Sequence, residues 1–330
     1  MENIPAPSCL TEISVVVPVY RSSATLELLV CRLEETLRGI ARSYEIILVN
    51  DGSPDDSWRV IESLSRKNSR VVGISLMRNY GQHSALAAGI RVGRGGVIVT
   101  LDDDLQTPPE EMPKLLGKLY EGFDLVYGVR AKEAHGFFRN ACSRIGKSLL
   151  TKLLGVRVAT SLSSYKAFRS TLREPLLQHQ GPVVFLDALL CWGTTRVGSV
   201  EVEHHQRKEG VSGYNLQKLI RHYANMTTSF SQFPLRLASF LGVVTMITGF
   251  LLFLFIVIIY FTCGNSVPGF TFVAASITLF SGIQLFILGV MGEYLAGMHQ
   301  NLIGMPPYII RQTVGVATHS SCFADGKDKA

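Results

Sequence analysis

Apolar residues in the first third of the chain come in short, nearly unbroken runs: ISVVVPV at Ile13–Val19, YEIILVN at Tyr44–Asn50, another from Arg70 to Leu76, and VIVTL at Val97–Leu101. Runs of this length, rich in β-branched residues and lacking polar alternation, predict strands covered on both faces, as in a parallel sheet. Pro18 falls at the carboxyl end of the first, where no further ladder donor is needed. Between the runs the period changes. Residues 24–40 (ATLELLVCRLEETLRGI) repeat their apolar positions with helical spacing, and so does SWRVIESLSRK, which follows the dense turn signal Asp51-Gly52-Ser53-Pro54. After the third run, RNYGQHSALAAGIRVGRG offers small residues through which a helix can lie close to a sheet. Strand and helix alternating at this spacing predict a doubly wound α/β unit.

Beyond residue 236 the pattern is of another kind. No Asp, Glu, Lys or Arg occurs between Arg236 and Glu293, a gap of 56 residues. Within it, 237–261 and 267–291 are each 25 residues long, more than the roughly 20 that cross a hydrocarbon core. Both are apolar all round, unlike a helix on a soluble core. The intervening TCGNS is too short for a domain, so the pair predicts a transmembrane hairpin with both flanks on one side. Upstream, residues 216–233 (LQKLIRHYANMTTSFSQF) mix Lys218, Arg221 and His222 with apolar positions. That composition suits a helix lying among lipid headgroups, although the outer helix of a soluble domain could carry it too. Arg207, Lys208, Lys218, Arg221 and Arg236 precede the first span and Arg311 follows the second, whereas the hairpin turn is uncharged. An integral membrane protein with the α/β unit and both termini in the cytoplasm is therefore expected. Gly282, Gly289 and Gly292 would allow close helix contact, including that of a homo-oligomer. The tail after Tyr308 reads as mobile. These breaks divide the chain into an N-terminal segment at 1–12, an α/β domain at 13–206, a loop and interface helix at 207–236, the two spans within 237–292, and a tail at 293–330.

Composition narrows the function classes. Of 330 residues, 18% are charged and 47% hydrophobic, which excludes a disordered chain, a collagen or a small disulfide scaffold. Lys and Arg number 32 against 26 Asp and Glu, a net charge of +6. This modest excess forms no run, so it points to anionic lipid or phosphate as partner rather than nucleic acid. Cys9, Cys31, Cys142, Cys191, Cys263 and Cys322 are scattered without a close pair, which suggests neither zinc nor disulfides. The opening MENIPAPSCL lacks the basic and apolar regions of a cleaved signal peptide.

Candidate chemistry follows from where polar residues fall. Tyr20, Asp51, Arg78 with Asn79, and Asp102-Asp103-Asp104 each come directly after a predicted strand, and ligands of doubly wound sheets bind beyond those ends. A dinucleotide fold would place GxGxxG after the first strand; VYRSSA stands there instead. Asp102 and Asp104 form a DxD, whose two carboxylates can hold Mg²⁺ or Mn²⁺ while leaving positions for a diphosphate. By itself the same triplet also reads as a solvated turn ahead of Pro108-Pro109-Glu110. His204-His205 on an apparent strand would point to opposite faces, which argues against a shared metal. His83 is a polar residue at a helix start near these loops, and Trp58 and Trp192 read as packing residues.

Taken together in order and spacing, VVVPVY, VNDGSPDDS, RNYGQHSALAAGI, DDDLQTPPEE, RKEGVSGYNLQKLIR and PLRL resemble the GT-A family 2 glycosyltransferases that charge a polyisoprenyl phosphate. Within that group, which includes dolichol-phosphate mannose synthase and the bactoprenol glucosyltransferases, the undecaprenyl-phosphate aminoarabinose transferases are the most similar. The resemblance spans roughly residues 13–308 and implies a GT-A domain, an interfacial helix region and a two-helix transmembrane hairpin in a bacterial inner or plasma membrane. It implies transfer of one sugar, with inversion, from a nucleotide-sugar donor to a polyprenyl phosphate, with Mg²⁺ or Mn²⁺ as cofactor. Pro18, Tyr20 and Asp51 then match base and ribose contacts, and Asp102 and Asp104 match metal and diphosphate ligands. Asp103 lies between them, where the family usually has a small residue. Arg130 matches an arginine at the acceptor phosphate, Arg139 and Ser143 a further phosphate-binding pair, and Arg207, with Gly210, Ser212 and Tyr214, a segment that closes over the nucleotide. Snorkelling at a lipid surface is the alternative for Arg139, and a polar surface loop for the Arg207 segment. Glu293-Tyr294 resemble the family's span-terminating pair.

Two departures matter. Arg21-Ser22 replace the family's usual Asn-Glu, and Thr160 stands where relatives carry an aspartate proposed to be catalytic. A lipid phosphate is already largely anionic near neutral pH, so metal and arginines could activate it without a base. The rival from another class is a catalytically silent subunit that binds nucleotide-sugar or lipid phosphate. The missing aspartate favours that rival; Asp51, Asp102, Asp104, Arg130, Arg139 and Arg207 together argue against it. A processive polysaccharide synthase would need further spans and a QxxRW segment, and neither tryptophan sits in one.

Overall fold

A computed structural model of the chain describes residues 11–130, 163–178, 181, 184–204, 233–263 and 269–315. The chain divides into two compact units, one holding the α/β elements and the segment from Met305 onward, the other holding two long helices.

The α/β unit alternates as its sequence pattern predicts: β1 (Ile13–Val19), α1 (Leu26–Ile40), β2 (Tyr44–Asn50), α2 (Ser57–Lys67), β3 (Val71–Leu76), α3 (Gln82–Val92), β4 (Val97–Thr100), α4 (Met112–Tyr120) and β5 (Leu125–Arg130). There follow β6 (Lys166–Arg169), the short helices α5 (Glu174–Gln178) and α6 (Leu186–Gly193), and β7 (Val197–Val202). Eight strands form one sheet in the order β7-β5-β6-β4-β1-β2-β3-β8, where β8 is Ile310–Val314. β1 pairs in parallel with β2 and β4, and β2 with β3, so these four strands end on the same edge. The sheet as a whole is mixed, because β6 runs antiparallel between β4 and β5. Two antiparallel steps restore direction, and β5 therefore also ends on the shared edge.

β1 is buried along its whole length because its alternate residues feed two cores. Val15, Val17 and Val19 face the layer containing α1 and α4, whereas Val16 faces α3. In α3 the run Ala85–Ile90 is buried, and a Cβ at Gly89 would collide with Val16 and Val49. Pro18 pairs with Val49 inside the strand rather than closing it. Its missing N–H is tolerated for a geometric reason. Val16 O accepts from Leu101 N and Val19 O from Asp51 N, so Pro18 faces the β4 side, past Thr100 where that ladder has ended.

The tail expected to be mobile instead begins with an edge strand. IRQTV is antiparallel to β3, with Ile74 opposite Thr313 and Met77 N donating to Ile309 O at 2.9 Å. It satisfies the otherwise open edge of β3, a gain that local composition does not register. Tyr308 is fixed just before it, its ring 5.5 Å from the Arg91 guanidinium.

In the second unit, α7 (Phe233–Cys263, 31 residues) and α8 (Gly269–Leu302, 34 residues) pack against each other. Gly242 approaches Ile287 and Gly249 approaches Phe280, so the two run antiparallel. Large apolar side chains, including Phe250, Leu285 and Leu295, are exposed on them. Among the described residues one stretch, Phe280–His299, is long and apolar enough to cross a membrane, and a shorter apolar one covers Ala238–Leu251. The second span expected at 267–291 thus begins outside the described residues, and the qualifying stretch lies further along. α8 does not stop at Glu293-Tyr294 but runs on through Gly297 to Leu302, just before Gly304, whose φ is +66°. The expected interface helix at 216–233 lies almost wholly outside the described residues.

Gly315, at φ +73°, turns the chain beside Ser65 Oγ and Val71 O with no room for a Cβ. Gly315→Val is therefore expected to unpin β8, and hydrogen exchange should accelerate at the β3 backbone from Gly73 to Leu76. Unchanged protection there would count against the strand's role as an edge cover.

Candidate active site

The edge where β1 to β5 end gathers Tyr20, Asp51, Asp102, Asp103, Asp104 and Arg130, each positioned by the strand before it. Asp51 follows β2 and is buried; its two carboxylate oxygens accept from Tyr80 N (2.7 Å) and Gly81 N (2.9 Å) of the β3–α3 loop. Burial raises its pKa above the usual carboxylate range, and those two N–H donors oppose the rise. Gly52 beside it has φ +61°, and a Cβ there would strike the backbone of Arg78 and Asn79. The Arg78 guanidinium lies 4.6 Å from the Tyr80 ring centroid. This loop and the turn after β2 thus hold one another at close range.

The three aspartates after β4 have three different sets of partners. Asp102 Oδ1 accepts from Gln82 Nε2 at 2.6 Å, and its Oδ2 accepts from Ser164 Oγ. Ser164 is held in turn, since its carbonyl accepts from Thr100 Oγ1 at 2.5 Å. Asp103 turns toward β1, accepting from Tyr20 N at 3.0 Å and from the Ser22 hydroxyl. Asp104 Oδ1 accepts from Gln106 N at 3.1 Å. Burial pushes the pKa of Asp102 up, the Ser164 hydrogen bond opposes this, and repulsion from Asp104 adds to it. Asp103 is pushed up to about 6, by burial first, against the Ser22 and Tyr20 hydrogen bonds.

Backbone strain marks the same loops. Among the described residues the non-glycine positions with positive φ are Arg21 (59°) and Leu105 (57°), and both border this edge. Such conformations cost on the order of 1–2 kcal/mol each. Arg21 N is held by Ser53 Oγ at 2.7 Å, and Leu105 packs on the core.

Tyr20 stands 42% exposed at the edge. Arg130 ends β5 and is exposed. Pro18 is buried within β1. Arg139, Ser143 and Arg207 lie outside the described residues, as do Thr160, Gly210, Ser212 and Tyr214. His204 is not on β7 but two residues past it, 2.9 Å from Gln106 Oε1 and 3.3 Å from Thr107 Oγ1. His83 sits in the first turn of α3, its ring 5.1 Å from Phe185. Trp58 packs on the core as expected, whereas Trp192 is 83% exposed on the outer side of α6, a helix too short to cover it.

A bound divalent ion fits the donor set within limits. Among the described residues no group of three His, Cys, Asp or Glu could hold a metal. Asp102 and Asp104 nonetheless offer hard oxygens with lone pairs beyond those already used. Mg²⁺ and Mn²⁺ are commonly held by one or two carboxylates, with water and substrate phosphate completing the shell.

Sequence reasoning named Asp102 without naming its holders. Gln82 carried no signal beyond lying in RNYGQHSALAAGI, and Ser164 carried none. Beneath them lies a charged cluster that was missed, Lys166 with Asp187, Tyr127 and Cys191. Its one legible sign is a lysine at an inward position of the strand KAFR.

Comparison with known proteins follows from this geometry. The glycosyl transferase family 2 model matches residues 14–176. The undecaprenyl-phosphate 4-deoxy-4-formamido-L-arabinose transferase of Proteus mirabilis is 33% identical over 93% of this chain and 95% of its own. The protein of the same name from Aeromonas hydrophila is 33% identical over 94% and 96%, and that from Serratia proteamaculans 34% over 93% and 95%. Among solved structures, glucosyl-3-phosphoglycerate synthase from Mycobacterium tuberculosis aligns with TM-score 0.47 and 20% identity, covering 67% of this chain and 80% of that one.

Asp51→Ala would leave two loop N–H donors without their charged acceptor. A loss of about 3 kcal/mol is expected, seen as a lower thermal unfolding midpoint; Asp51→Asn, which keeps one acceptor, should lose less.

Proposed function

The chain belongs to glycosyl transferase family 2, and on that premise we propose that it moves a single sugar from a nucleotide-sugar to a polyprenyl phosphate of the undecaprenyl type, inverting the anomeric centre. The supporting observation is the Asp102 turn: a carboxylate at the end of β4, oriented on one oxygen by Gln82 and on the other by Ser164, with Asp104 beside it. It occurs in a chain related over more than nine-tenths of its length to proteins named for transfer to undecaprenyl phosphate.

In this reading Tyr20 and Asp51 border the pocket for the nucleoside, and Pro18 is assigned to it on the resemblance alone. Asp102 and Asp104 hold Mg²⁺ or Mn²⁺ at the donor diphosphate. The ion supplies positive charge that stabilises the departing nucleoside diphosphate. Asp103 works at one remove, tying the turn to β1 through Tyr20 and Ser22. Arg130, at the end of β5 on the same edge, draws the acceptor phosphate toward the donor. Arg139 with Ser143, and Arg207, are assigned to the acceptor phosphate and to closure over the donor on the resemblance alone. An oxygen of the acceptor phosphate forms the new bond to the anomeric carbon as the bond from that carbon to the diphosphate breaks. The nucleophile is already anionic, so Thr160 in place of an aspartate is compatible with turnover. The antiparallel pair α7 and α8 forms the membrane hairpin, with the α/β unit at the cytoplasmic face where nucleotide-sugars are made. A silent binding subunit has no support among the relatives, which are named transferases.

Purified protein given undecaprenyl phosphate, Mg²⁺ or Mn²⁺ and a panel of nucleotide-sugars should yield a lipid bearing one sugar. Chelator should abolish it, and Asp104→Asn should lower turnover by about 10²-fold or more. A product that grows beyond one sugar, or full turnover in excess chelator, would refute the corresponding assignment.

A further inference from the structure

Lys166 is a lysine in the wrong place for a structural residue. It is 1% exposed, on the inward face of β6, and its ammonium is paired with Asp187 of α6. The same Asp187 oxygen accepts from Tyr127 OH at 3.0 Å, and Tyr127 OH lies 3.7 Å from Cys191 Sγ. The Tyr127 ring centroid is 5.4 Å from Lys166 Nζ. Apolar side chains of similar volume generally serve a core at least as well as a buried ion pair. Stability alone therefore gives little reason for this arrangement.

Its location gives one. Lys166 is in register with Thr100, the last residue of β4, and with Tyr127 of β5. Two residues before it in the chain, just ahead of β6, is Ser164, which takes Thr100 Oγ1 on its carbonyl and gives its own hydroxyl to Asp102. The ammonium also acts electrostatically on Asp102. The pair thus fastens the start of β6 to α6, two residues from the serine that bonds the aspartate turn.

We propose that Lys166, through its buried pair with Asp187, is a positioning residue that holds Ser164, and through it Asp102, in the orientation that receives the metal–diphosphate. The inference rests on the role proposed above for Asp102. A buried pair suits the task because its two charges must stay together. Any shift of β6 relative to α6 separates them in a medium that penalises a lone charge. An apolar contact, being non-directional, would permit small slides.

Exchanging both partners, Lys166→Met with Asp187→Leu, leaves no lone buried charge and no change in net charge. The ammonium's own attraction for Asp102 is lost with the pair, and comparison with Ser164→Ala separates that loss from positioning. The probe is Mn²⁺ alone, followed in the full-length protein by loss of its free-ion paramagnetic resonance, with thermal unfolding alongside. The double variant is expected to keep its unfolding midpoint within a few degrees and to bind Mn²⁺ about tenfold more weakly, as when outer partners of metal ligands are removed. Ser164→Ala alone should weaken Mn²⁺ binding similarly, and adding it to the double variant should weaken it no further, because both act along one path. A lowered midpoint with wild-type Mn²⁺ binding would make the pair structural only, overturning the inference and leaving the donor site intact. Additive losses would overturn the route through Ser164. Wild-type protein whose Mn²⁺ binding is indifferent to Asp102→Asn would overturn the donor-site reading and this inference with it. If the double variant fails to fold, Lys166→Arg, which keeps the charge but displaces it, is read by the same titration: weaker binding supports the role and unchanged binding overturns it.

Discussion

Three consecutive carboxylates at the end of one strand repel each other, and much of the surrounding structure answers that repulsion. Each is turned to a different neighbour: Asp102 to Gln82 and Ser164, Asp103 to the β1 loop, Asp104 to the backbone of its own turn. Without that division the turn would gain by neutralising or opening. With it, each carboxylate has donors of its own close by.

The parallel order of β1 to β4 makes such a division possible. Parallel strands bring their carboxyl ends, and the loops after them, to one edge, so residues far apart in sequence share it. Tyr20, Asp51 and Asp102 meet in this way. Small residues deepen the convergence, Gly89 by letting α3 approach the sheet and Gly52 by letting the third loop lie against the second. The strain at Arg21 and Leu105 falls at the same edge, where hydrogen bonds and packing are dense enough to hold it.

Positions 21 and 22 and position 103 are best considered together. The resemblance to polyisoprenyl-phosphate glycosyltransferases implies an acid at position 22 and a small residue at position 103, where this chain has Ser22 and Asp103. In the fold these anomalies touch, since the Ser22 hydroxyl donates to the Asp103 carboxylate. A hydroxyl at position 22 accommodates the additional charge, where a second carboxylate would repel it.

Local order was legible from sequence because it is written in short-range periods. Continuous β-branched runs announced β1 to β4, YEIILVN and SWRVIESLSRK became β2 and α2 with the same bounds, and the polar residues after each strand marked the working edge. The charge-free stretch likewise announced two long apolar helices. What no local pattern encodes is which distant segments pair. The insertion of β6 between β4 and β5 and the return of Ile310–Val314 to cover β3 depend on contacts across many residues of chain. Gln82 and Ser164 could not be known as the holders of Asp102 until α3 and β6 were seen on either side of it. The pairing of Lys166 was illegible for the same reason: its partner Asp187 is 21 positions away, and only tertiary packing takes both charges out of water and makes each depend on the other.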